Sequence, residues 1–148
     1  MNKFILTLLI AAAVALGQQA ESAKKQPPQA HVLTNAEFDD LLAKPDQILI
    51  IDVRRPDEIT SNGGFPVYLS IQNGQLSKSL AWIPKDRTIV TVSNHAARGA
   101  GAADLLSKAG FKVAGTIGAQ TYEQAGGKLT RIAAPKTTAA AEEPAKKN

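Results

Sequence analysis

The chain contains no cysteine. That absence excludes disulfides, thiolate metal sites, a cysteine nucleophile and acylation of a lipoprotein cysteine. Histidine is scarce as well: His31 and His95 are the only two, and no carboxylates stand beside them at organised ligand spacing, so neither a metal site nor a cofactor is expected. Aromatic residues are 5% of the chain, with one Trp and two Tyr, which argues against a surface built for aromatic stacking. An excess of one sign of charge is nearly absent from the middle. The formal net charge is +4, yet between His31 and Arg131 stand 11 Lys and Arg against 10 Asp and Glu. With no basic face or dense basic arm, a nucleic-acid partner is not expected.

A long apolar run is also missing. The one substantial run, Phe4 to Leu16, has 13 residues, whereas a spanning helix needs about 20. With Lys3 before it and small and polar residues after it, the run has the layout of a secretory signal. The expectation is a signal peptide over 1–17, cut after Ala15-Leu16-Gly17 or alternatively after Ala13-Val14-Ala15. The protein would then be periplasmic or secreted, with no stable membrane span after cleavage. Residues 18–30, polar and carrying Pro27-Pro28, read as a disordered linker, and residues 133–148, rich in Ala, Thr, Lys, Glu and Pro, as a disordered tail. One folded domain over 31–132 remains.

Within it, Thr34-Asn35-Ala36-Glu37 has capping-box spacing, and Phe38, Leu41 and Leu42 follow on one helical face. A short helix is expected from Asn35 to before Pro45. Ile48 to Val53 and Thr88 to Val92 are continuous branched apolar runs, suited to parallel strands buried on both faces, and Lys112 to Ile117 is a third candidate. Leu76 to Ile83 and Arg98 to Ala109 carry helical spacing, the latter stopped by Gly110. Strand alternating with helix predicts a doubly wound α/β domain. Tyr122 and Trp82 read as core or rim aromatics.

Ligands of open α/β sheets gather beyond the carboxyl ends of strands. Two segments qualify. Asp52-Val53-Arg54-Arg55-Pro56-Asp57-Glu58 ends a buried strand in charge, and Ser93-Asn94-His95-Ala96-Ala97-Arg98-Gly99 runs from a buried strand straight into a helix. A tight turn of the second kind can aim successive N–H groups inward, and the helix N-terminus adds positive potential that Arg98 would reinforce, so an anion is favoured there. On spacing alone, the first reading is an ordinary connection with Ser93 and Asn94 as turn or cap residues. Arg54 and Arg55 can pair with Asp57 and Glu58.

The order of these segments resembles the rhodanese-like family. The resemblance lies in a strand ending in Asp52-Val53-Arg54 with Glu58 four positions after the Arg, then Ile83-Pro84-Lys85-Asp86, the strand Thr88 to Val92, the loop from Ser93 to Arg98, and Leu105 to Phe111. It implies a parallel sheet of about five strands flanked by helices. It also implies that Ser93 stands where active members carry the cysteine that accepts a sulfane sulfur as a persulfide. Arg98 matches the family's loop arginine, and Asp52 and Arg54 its supporting pair. The chain departs from the family at Ala96, where mid-loop glycine is usual, at Gly99, where serine is usual, and at Gly64 to Tyr68 and Gly118-Ala119 with Tyr122.

A serine hydroxyl ionises far above the range into which a loop can bring a cysteine, and it holds no transferable sulfane sulfur. Loss of thiosulfate sulfurtransferase activity is therefore expected, leaving a binding or regulatory module whose anion cradle spans Ser93 to Gly99, with a small oxyanion or an envelope protein as partner. The competing readings are residual sulfurtransfer without a covalent intermediate, and a hydrolase with Ser93 as nucleophile, His95 as base and Asp52 as orienter.

Overall fold

The computed structural model describes residues 27–131. The signal and tail expectations fall outside those residues, as does the linker up to residue 26. Helix α1 (Asn35–Leu42) opens on the expected box: the Thr34 hydroxyl accepts the Glu37 amide at 3.3 Å, and the Glu37 carboxylate accepts the Thr34 amide at 2.8 Å. There follow β1 (Ile48–Asp52), α2 (Pro56–Asn62), the two-residue strand β2 (Leu69–Ser70), two short 3-10 helices (Asn73–Lys78 and Leu80–Trp82), β3 (Thr88–Ser93), α3 (Ala97–Lys108), β4 (Val113–Gly118) and α4 (Ala119–Gln124). All strand pairs are parallel, in the order β2-β1-β3-β4.

The sheet is thus a doubly wound α/β sheet of four strands, one fewer than the resemblance implied. The place of a fifth is taken by a single bridge of Val32 with Thr116, through Leu33 N–H to Thr116 O and Thr116 N–H to His31 O, both at 2.8 Å. The capping box turns the chain into α1 directly afterwards, so this pairing has no room to lengthen. The stretch Leu76 to Ile83 is not one α-helix. Asn73-Gly74 at its start and Ser79, whose hydroxyl bonds back to Gln75 O, favour short tight turns, and Ser79 separates the two 3-10 pieces. Helix α3 ends as expected, with Gly110 at φ +82°, a conformation that glycine adopts freely.

Alternate residues of the buried strands feed two cores, one on each face of the sheet. Ile48, Ile50, Val90, Val92 and Ile117 pack with Phe38, Phe65 and Tyr122 on one face; Ile51, Val53 and Ile89 pack with Leu76, Ala102, Leu106 and Phe111 on the other. The rings of Phe38, Phe65 and Tyr122 meet edge to face, with centroids 4.7 to 5.5 Å apart, a favoured aromatic geometry. Tyr122 is a core residue, while Trp82 is 84% exposed. No helix among the described residues is long and apolar enough to cross a membrane, and no group of three or more His, Asp or Glu there is placed to hold a metal ion.

Candidate functional site

From β1 the chain passes to β2 on one side of the sheet, and then to β3 on the other. The carboxyl ends of β1 and β3 therefore lie side by side where the strand order reverses, joined by Val53 N–H to Val92 O at 2.9 Å. In open α/β sheets this is where a ligand crevice forms. Both segments singled out from the sequence arrive there.

Asp52 and Arg54 are fully buried and paired with each other. The Arg54 Nη2 donates to Asp52 Oδ2 at 2.6 Å, Nε to Oδ1 at 2.9 Å, and the Arg54 amide to Oδ1 at 3.1 Å. A buried charge pair of this kind costs several kcal/mol to break from one side, because the remaining charge has no water. Nη1 of Arg54 reaches Asn94 Oδ1 at 3.4 Å, so the pair braces the loop instead of facing solvent.

Ser93 closes β3, is 1% exposed, and its Oγ accepts the Gly99 amide at 3.2 Å. The hydroxyl thus satisfies one of the first amides of α3, which have no partner within the helix itself. Asn94, His95 and Ala96 form the turn. Ala96 is the helix cap and has φ +65°, the left-handed region that costs an L-residue about 1–2 kcal/mol. It is the only described non-glycine residue with positive φ. The amides of Asn94, His95, Ala96 and Arg98 bond to no acceptor among the described residues, whereas Ala97 donates to His95 O and Ala100 to Ala96 O. Asn94 O accepts Gln120 N–H at 3.0 Å, which ties the turn to α4.

Gly99 has a steric reason to lack a side chain. A Cβ there would overlap the hydroxyl of Thr116 on β4. That hydroxyl is fixed by donating to Thr91 O at 3.1 Å, while the Thr91 hydroxyl donates to Gly99 O at 2.8 Å. The start of α3 therefore packs directly against β3 and β4.

Arg98 does not stand alone. Its Nη1 and Nη2 donate to the two carboxylate oxygens of Glu58 at 2.8 and 2.5 Å, a bidentate pair between the first turns of α3 and α2. Glu58 also accepts Asn94 Nδ2 at 2.8 Å and the Arg55 amide at 3.0 Å. The Arg98 guanidinium, and after it the Arg55 amide, hold the Glu58 carboxyl down to about 2 against the opposing pull of burial. Arg55 itself turns outward to Asp57 at 3.0 Å.

His95 is exposed and makes no side-chain hydrogen bond to a described residue, and Asp52 is occupied by Arg54. Ser93, His95 and Asp52 do not form a hydrogen-bonded triad. Glu58 was readable from the sequence as a charged neighbour, yet its position as the hub of the site was not. The signal lay in Pro56 at the first helical position with Glu58 two residues later, the opening of a helix.

The fold has solved counterparts. A rhodanese-related protein of Thermoplasma volcanium superposes with a TM-score of 0.61 at 19% identity, covering 69% of this chain and 99% of that one. The chain has the rhodanese-like fold. A Rhodopseudomonas palustris protein of unknown function, described as a possible tyrosine phosphatase, matches this rhodanese-like domain at TM-score 0.59 and 26% identity over 68% of this chain and 85% of that one. A thiosulfate sulfurtransferase of Pseudomonas aeruginosa matches at 0.57 and 23%, over 68% of this chain and 20% of that one. No protein-family model and no curated protein matches the chain.

Proposed function

We propose that this protein is an exported, periplasmic or secreted, rhodanese-like module that binds a small oxyanion, alone or on an envelope partner, in the loop from Ser93 to Gly99 and does not transfer sulfane sulfur. The observation that carries the reading is the loop itself. A left-handed Ala96 joins a buried strand to a helix N-terminus and leaves the amides of Asn94, His95, Ala96 and Arg98 without acceptors among the described residues. Consecutive amides of this kind, with the positive end of a helix behind them, suit an anion. The hydroxyl of Ser93 is committed to the Gly99 amide and supplies neither a thiolate nor a persulfide. The bound anion would be oriented by backbone donors, with the buried Asp52–Arg54 pair keeping Asn94 in register.

The test is an amide chemical-shift titration of the protein with sulfate, thiosulfate and phosphate at constant ionic strength. Phosphate is included because one structural neighbour is described as a possible phosphatase. Shifts that saturate and are confined to residues 93–99 are expected. Shifts scattered over the surface, or none at the loop, would refute the reading.

A further inference from the structure

One carboxylate collects the side-chain donors on the α2 side of the loop. Glu58 takes both terminal nitrogens of Arg98, the amide nitrogen of Asn94, and the backbone of Arg55. Its side chain is 14% exposed and that of Arg98 39%, so the pair sits at the margin of the site, open to solvent on the Arg98 side. The charges around it are otherwise matched: Arg54 with Asp52 beneath, and Arg55 with Asp57 outside.

We infer that Glu58 is a built-in competitor for the oxyanion of the loop: an entering anion gains the bidentate edge of Arg98 that Glu58 holds, and the Asn94 N–H beside it, only by displacing the Glu58 carboxylate. This rests on the reading of the loop as an oxyanion site, and it adds which anions that site admits. A free monocarboxylate offers Arg98 the same bidentate chemistry as Glu58 but without the tether, which gives the internal group a high effective concentration. Sulfate, thiosulfate and phosphate carry further acceptor oxygens that can engage the loop amides at the same time. The site therefore selects tetrahedral oxyanions and rejects acetate. Because the Glu58 carboxyl is held near 2, the competitor stays charged at any ordinary pH, and the selection does not vary with acidity there.

The experiment compares binding of sodium sulfate, sodium thiosulfate and sodium acetate to wild type, Glu58→Gln and the double variant Glu58→Gln/Arg98→Ala, by calorimetry and amide shifts at matched ionic strength. Releasing a charge-assisted pair should tighten sulfate and thiosulfate binding to Glu58→Gln by about tenfold or more, and should allow acetate to bind where wild type rejects it. The double variant should lose both gains, which assigns them to Arg98, and a dispersed amide spectrum unchanged away from α2 and the loop shows that the variants are folded. Equal sulfate affinity in wild type and Glu58→Gln overturns the competitor while leaving the loop site standing. No binding at residues 93–99 in any of the three overturns both.

Discussion

At the scale of single residues, the environment of Gly99 explains a departure that sequence alone left bare. The chain has glycine after the loop arginine because the Thr116 hydroxyl fills the space of a side chain. Gly99→Ala should destabilise the domain by about 1–3 kcal/mol through overpacking. In a Thr116→Ala background the same change should cost clearly less, and a double-mutant cycle in urea measures the coupling. Ala96 makes the opposite case, since it holds a positive φ that glycine would hold without strain. Ala96→Gly relieves about 1–2 kcal/mol of left-handed strain and loses about 0.5–1 kcal/mol to chain entropy. The expected result is a stability unchanged or raised by up to about 1.5 kcal/mol; a clear loss of stability would show that the loop does not need this conformation.

At the scale of elements, the buried strands and the capped helices were legible because their signals are local. Ile48 to Ile51 and Thr88 to Val92 are runs of branched residues, Thr34 and Glu37 form a capping box, and Gly110 closes α3. Helix α4 was not legible, since Gly118 and Ala119 carry no capping side chain and its burial depends on Tyr122 reaching Phe38 and Phe65 across the fold. Strand β2 is two residues long and exists only by pairing with Ile51 and Asp52. The candidate site divides in the same way. Ser93, Asp52 and Arg54 were locatable as strand ends, whereas the grip of Glu58 on Arg98 spans 40 residues of chain and emerges only when α2 and α3 are brought together. Phe38, fully buried at the centre of the aromatic cluster, is the anchor of α1, and Phe38→Ala should cost about 3–5 kcal/mol in chemical denaturation.

Across the whole molecule, the charges of the folded part nearly balance at neutral pH, and particular pairs contribute to how its stability falls in acid. The carboxyls of Glu58, held by Arg98, and of Glu37, held by the Thr34 amide and hydroxyl, are both lowered to about 2. Unfolded, a glutamate takes up its proton near 4.3. Below that value the unfolded chain binds more protons than the folded one, so their contribution, complete above about pH 4.3, falls away as the pH drops toward 2. Glu58→Gln should flatten that part of the stability–pH curve, and an unchanged slope would remove Glu58 from the account.

The same architecture places Ser93 Oγ at the end of β3, against the Gly99 amide and under a loop braced by Arg54 and Asn94. A thiol at that position would meet an amide donor and the start of a helix, the conditions that favour a thiolate. Thiosulfate:cyanide sulfurtransfer by wild type and Ser93→Cys tests this most directly. The account predicts no turnover above background for wild type and measurable turnover for the cysteine variant. Turnover by wild type, or none by a folded Ser93→Cys, would contradict it.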